Sequence, residues 1–119
     1  MTPLTDSTRG LVDAEVLAAL PDGALVVNVA RGAVVDTDAL TREVGAGRLK
    51  AALDVVDPEP LPEGHPLWHA PGVIITPHVG GNTDAFAPRI LALLRRQVEA
   101  LGAGREPGNL VRRGPWAQG

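Results

Sequence analysis

The chain has 119 residues, with 11 Lys and Arg against 14 Asp and Glu, a formal net charge of −3. That length holds one domain at most, and the mild acidity excludes a strongly basic nucleic-acid binder, which needs clustered cations. Cys is absent, so neither a disulfide framework nor a thiolate metal site is available. No apolar run approaches the ~20 residues of a membrane span. Met1 to Asp6 carry no basic or apolar signal region, so a cytoplasmic location is expected. Hydrophobic residues make up 45%, ordinary for a globular chain. The 14 Gly and 11 Pro suit short helices and strands joined by tight turns.

In chain order, Asp13 is a candidate N-cap for a helix over 14–20, stopped by Pro21-Asp22-Gly23. Residues 24–29 (Ala-Leu-Val-Val-Asn-Val) run without alternation, as a strand buried on both faces does. Ala30 to Ala33 form a turn. Asp36 or Thr37 caps a second helix over 38–44, ended by Gly45-Ala46-Gly47. A second buried strand is expected over 51–56, then a Pro-rich loop over 57–72, and a third strand over 73–76 halted by Pro77. Asn82 or Thr83 caps a last helix reaching Leu101. Its Phe86, Ile90, Leu93, Leu94, Val98 and Leu101 step by three or four and share one face. Pro88 falls in its first turn, where a missing N–H is tolerated. Residues 102–119 read as a Gly/Pro-rich tail containing Arg112 and Arg113. Strands alternating with helices predict an α/β fold, a partial doubly wound parallel sheet flanked by helices.

In such sheets ligands bind beyond the carboxyl ends of the strands. Arg31 follows the first strand, Asp54 lies near the end of the second with Glu59 five residues on, and His78 follows the third. The topology gathers these four along one rim. Arg grips a carboxylate with two parallel charge-assisted hydrogen bonds. His moves a proton near neutral pH, and a neighbouring carboxylate favours the charged imidazolium. Carbonyl reduction needs such an acid at the oxygen, and its hydride must come from a cofactor. Singly, Arg31 also fits a solvated turn, Asp54 a turn or cap, and Glu59 plain loop polarity. The glycines after His78 are what close backbone approach to a ligand requires. His65 and His69, with Glu59 or Glu63, form a competing metal set of zinc-like spacing, but Pro66 disfavours the helix that spacing needs. The chain contains no Gly-x-Gly-x-x-Gly phosphate loop.

Three ordered segments carry a resemblance: residues 28–36 (Asn-Val-Ala-Arg-Gly-Ala-Val-Val-Asp), residues 52–62 through His65-Pro66-Leu67-Trp68, and Thr76-Pro77-His78-Val79-Gly80-Gly81. Over about 3–111 the chain resembles the NAD-binding domain of the D-isomer-specific 2-hydroxyacid dehydrogenases, which include phosphoglycerate dehydrogenase, glyoxylate/hydroxypyruvate reductase and formate dehydrogenase. The resemblance implies Arg31 as the substrate-carboxylate group, His78 as the acid/base and Glu59 as its carboxylate partner. It implies cofactor contacts, to NAD or NADP, from Pro3, Leu4, Thr5, Thr8, Val29, Ala30, Arg31, Asp54, His78, Gly80 and Gly81, with Asp54 on the nicotinamide carboxamide. Glu rather than Gln at position 59 favours 2-hydroxyacid chemistry over formate oxidation. It further implies that residues 1–101 are the C-terminal half of a dinucleotide-binding domain. The phosphate loop, the residue selecting NAD or NADP and one substrate-domain segment would all precede Met1. The expected partners are a small 2-oxo or 2-hydroxy acid, an N-terminal half supplied separately, and a second copy in a homodimer. Nucleic acid and membrane are not expected partners. The competing readings are a non-catalytic nucleotide-binding or oligomerisation module, and a metal-dependent hydrolase built on His65 and His69.

Overall fold

The computed structural model describes residues 2–109. The expected tail beyond 109, with Arg112 and Arg113, lies outside the described residues, as does Met1. The chain groups into two compact units, one over residues 1–80 and one from residue 81 onward.

The first unit opens with a loop and then helix α1 (Ala14–Ala19). The Asp13 carboxylate accepts the Val16 N–H at 2.9 Å and caps the helix as expected. Leu17 on its inner face is fully buried. The helix ends where Leu20 turns extended ahead of Pro21. Strand β1 (Leu25–Asn28) leads through a 3₁₀ turn (Gly32–Val34) to helix α2 (Thr37–Gly45). Asp36 rather than Thr37 supplies the cap, accepting the Ala39 N–H at 2.8 Å. Gly47, at φ +72°, turns the chain into β2 (Lys50–Leu53). A long loop with a 3₁₀ turn (Pro66–Trp68) reaches β3 (Val73–Ile75).

The three strands form a parallel sheet in the order β1-β2-β3, with Asn28 level with Leu53 and Leu53 level with Ile75. This is the expected α/β architecture. The carboxyl ends of all three strands therefore stand side by side. Leu17, Leu40, Val44, Leu49 and Leu67 are the largest fully buried side chains and pack one face of the sheet. Arg48 fastens this layer. Its guanidinium donates to the Leu17 and Leu20 carbonyls at 2.6 and 2.7 Å and pairs with Glu43.

The expectation of strands buried on both faces is not met. Leu25, Val27 and Ile74 are each more than half exposed, while Ala51 and Leu53 between them are buried. Within this unit the helices cover only one face, so alternate residues of the apolar runs point away from the core. The strands are also shorter than their apolar runs, because Val29, Asp54 and Thr76 already belong to the loops at the rim.

The second unit contains helix α3 (Phe86–Gly102). Its cap is Ala85, without a side-chain bond, rather than Asn82 or Thr83. Thr83 is instead spent on a preceding turn, where its carbonyl accepts the Phe86 N–H at 2.9 Å. Phe86, Leu94, Val98 and Leu101 on the expected apolar face are exposed. Beyond the helix, the Gln97 amide holds Gly108 by both its N–H and its carbonyl, at 2.9 and 2.6 Å.

Candidate active site

Each strand end carries a polar group that shapes the loop after it. Asn28, at the end of β1, is the buried polar residue of the core. Its Oδ1 accepts the Ala30 N–H and its Nδ2 donates to the Arg31 carbonyl, both at 3.0 Å. Both side-chain polar ends are thus spent on the turn that presents Arg31. The Arg31 side chain is exposed, with Nη1 on the Ala30 carbonyl at 2.7 Å. Gly32 follows in van der Waals-tight approach to Val56 and Asp57, which brings the Arg31 turn against the loop that leads to Glu59.

His78 and Glu59 meet directly, with Nδ1 and Oε1 2.6 Å apart. Both side chains are 42% exposed. An ion pair so open to water contributes about 0–1 kcal/mol to stability, so its main effect is orientation. With Glu59 ionised, Nδ1–H donates to it and Nε2 is left for another group. His78 sits at φ +56°, a left-handed conformation uncommon for a side-chain-bearing residue but tolerated by His more than most.

Asp54 lies one step past β2, the middle strand of the sheet. Its Oδ1 accepts the Thr76 hydroxyl at 2.5 Å and the Val79 N–H at 3.0 Å. Its Oδ2 accepts the Gly80 N–H at 2.9 Å. Hydrogen bonds from Thr76, then Gly80 and Val79, hold its carboxyl below the usual carboxylate range, against a smaller opposing effect of burial.

A cavity of about 370 Å³ opens beside this group, lined by Asp54, Glu59 and His78 and by the apolar walls of Leu61, Trp68 and Ile75. Trp68 is held there by its indole N–H on the Pro62 carbonyl at 3.0 Å. A few convergent polar groups in an apolar cleft of this size suit a small organic ligand. A larger, more open depression of about 440 Å³ is lined by Arg9, Asp36, Asp38 and Asp57 and contains no His.

The other expected contacts fall as follows. Val29 and Ala30 lie at the β1 rim beside a smaller cavity that Thr2 also lines. Pro3, Leu4, Thr5 and Thr8 form an exposed, self-bonded loop, with the Thr8 hydroxyl on the Pro3 carbonyl at 2.6 Å and accepting the Thr5 N–H at 2.8 Å. Gly81 opens the second unit. The competing metal set is dispersed. His65 Nδ1 accepts the Leu67 N–H, Glu59 is engaged by His78, and no cluster of three or more His, Cys, Asp or Glu placed to hold a metal occurs among the described residues. Nor is any helix among them long and apolar enough to cross a membrane. Asn28, Thr76 and Trp68 are site-shaping residues that the sequence reading passes over. The first two carry a signal, a polar side chain at the end of an apolar run.

Residues 1–80 match the sequence profile described as D-isomer specific 2-hydroxyacid dehydrogenase, NAD binding domain. The chain belongs to that family. A glyoxylate reductase from Aeropyrum pernix is 38% identical over 112 residues, 93% of this chain and 33% of its own. A solved Thermus thermophilus protein superposes with a TM-score of 0.84 at 45% identity, covering 94% of this chain and 36% of its own. A D-isomer specific 2-hydroxyacid dehydrogenase from Xanthobacter autotrophicus, solved with NADPH and MES, gives 0.76 at 43% identity, covering 94% and 46%. The chain spans about a third of the length of the curated relatives it matches. Membership of this dehydrogenase family and the Rossmann-like parallel sheet agree with what the sequence resemblance implies.

Proposed function

We propose that the chain carries the proton-transfer and substrate-gripping groups of an NAD(P)-dependent 2-hydroxyacid dehydrogenase. The observation that supports this most is the Glu59–His78 pair, held 2.6 Å apart at the carboxyl ends of the strands. Arg31 stands on the same rim, at the end of the strand two places from β3. In this reading Arg31 takes the carboxylate of a 2-oxo acid bidentately. His78 gives the proton on Nε2 to the keto oxygen, while Glu59 holds the other ring N–H and steadies the imidazolium. In the reverse direction the same Nε2 takes the hydroxyl proton. The apolar cleft beside Asp54 fits the flat ring of a nicotinamide, and Pro3, Leu4, Thr5, Thr8, Val29, Ala30, Gly80 and Gly81 are proposed to contact the rest of the cofactor. When bound, that cofactor supplies the hydride. The donor set fits the ring end only, since no phosphate-cradling Gly-rich loop occurs in the 119 residues. We therefore place the pyrophosphate on an N-terminal half, supplied separately or by a longer protein, and include a cytoplasmic location and a homodimer in the same proposal.

The test is reduction of glyoxylate, the substrate named for the Aeropyrum relative, with NADH or NADPH. The chain is assayed alone and combined with an N-terminal half carrying the phosphate loop. Turnover is expected in the combination and absent in the chain alone. The proposal fails if the combination is inactive or if His78→Ala leaves its rate unchanged. The exposed Leu25, Val27 and Ile74 support a second reading, an oligomerisation module. It predicts oligomers by light scattering with no turnover in any mixture.

A further inference from the structure

The loop that carries His78 is held by groups outside the proton-transfer pair. Three donors from one short stretch converge on the Asp54 carboxylate: the Thr76 hydroxyl, the Val79 N–H and the Gly80 N–H. A carboxylate offers about four acceptor sites, so most of its capacity is committed to this loop. Inside the stretch the His78 N–H bonds back to the Thr76 carbonyl at 3.0 Å, and His78 adopts its left-handed φ of +56°. Such a conformation persists in a non-glycine residue only where the surroundings over-determine it. Bonds to Asp54 from both sides of His78 do so. A Cβ at Gly80 would stand 2.9 Å from Asp54 Oδ2, so that carboxylate would have to shift to admit it.

We infer that Asp54 and Thr76 are positioning residues that clamp residues 76–80 in the bend that aims the His78 ring at Glu59. They act through the main chain and touch no reacting atom in this role. The inference rests on the proposed role of His78, yet its readouts need no turnover. Loss of 2-oxo acid reduction would remove the function and leave the clamp standing, and the converse holds equally.

The experiment uses the whole 119-residue chain, ¹⁵N-labelled, with two NMR readouts. One is amide exchange at Val79 and Gly80. The other is the far-downfield Nδ1–H proton of His78 held against Glu59, identified by its loss in Glu59→Gln. Thr76→Val keeps the side-chain shape and removes the hydroxyl, whereas Thr76→Ser keeps the hydroxyl. Thr76→Val should speed exchange at both amides by about tenfold or more and weaken the Nδ1–H signal, with Ala51 in β2 unaffected. Thr76→Ser should restore both. Gly80→Ala, at an exposed position, should reproduce the loss and serves if Thr76→Val does not fold. Wild-type exchange and an unchanged Nδ1–H signal in folded Thr76→Val or Gly80→Ala would overturn the inference. A merely structural Thr76 would lower stability without moving the Nδ1–H signal.

Discussion

Gly32→Ala is a demanding perturbation, because it adds one methyl group at the join between two parts of the site. The φ of Gly32 is not left-handed, so the argument is about space alone. An added Cβ would stand 1.9 Å from the Val56 oxygen, 2.0 Å from its carbonyl carbon and 2.7 Å from the Asp57 nitrogen. All three are backbone atoms, so no side-chain rotation relieves the clash. Separations under 3.0 Å are essentially never seen for a real Cβ, so the two segments must part by about 1 Å. Overpacking of this kind costs about 1–3 kcal/mol, which urea unfolding followed by circular dichroism measures directly. The displacement also moves Arg31 away from the loop that leads to Glu59. A misplacement of about 1 Å costs on the order of 10²-fold in rate. We expect kcat/KM for glyoxylate in the reconstituted enzyme to fall by that order, with loss of stability in the isolated chain. An alanine variant as stable as the wild type within about 0.5 kcal/mol, and equally active, would refute the claimed close approach.

Four further outcomes are expected. Leu17→Ala empties a fully buried site on the inner face of α1, the helix that packs against α2, and should lower unfolding free energy by about 2–5 kcal/mol in a denaturant titration. Asp36→Ala removes the α2 cap and should cost about 1 kcal/mol in the same titration. Arg31→Lys replaces a bidentate fork by a point charge and should raise KM for the 2-oxo acid more than it lowers kcat, as steady-state kinetics will tell. The Asp54 carboxyl is held below its ordinary value, chiefly by Thr76. Its contribution to stability should therefore be complete above the unfolded-state value of about 4. It should be lost as pH falls through the lower native one. Urea midpoints measured from pH 6 downward should show an acid-side loss that shrinks in Asp54→Asn, and an unchanged loss in that variant would count against the assignment.

The residues that repeat along the chain were the legible ones. Apolar runs separated by helical spacings led to a parallel sheet, and Asp13 and Asp36 announced two helix starts through their short acceptor side chains. Thr83 carries the same chemistry but spends its backbone on a turn before α3, a choice that tertiary context makes and local sequence does not express. Leu25, Val27 and Ile74 read as doubly buried because an unbroken apolar run looks the same whether or not its second face is covered. At the site, the topology read from the sequence gathers Arg31, Asp54, Glu59 and His78 along one rim. That Glu59 is the partner of His78 came from the family resemblance, since a loop residue among prolines has no periodicity to place it. The clamp on residues 76–80 was not legible, because its donors are backbone N–H groups that every residue has. The close approach at Gly32 was hidden for the same reason, its neighbours being main-chain atoms of Val56 and Asp57.

The central claim is that a guanidinium and an imidazole at the ends of β1 and β3, the two outer strands of the sheet, share one small carboxylate-bearing ligand. Titration of the ¹⁵N-labelled chain with oxamate, an unreducible mimic of a 2-oxo acid, tests it most directly. The account predicts that the Arg31 Nε–H and the His78 ring resonances move together along one binding curve, and that Arg31→Ala abolishes the His78 response. Movement of either resonance without the other, or a His78 response that survives Arg31→Ala, would contradict it.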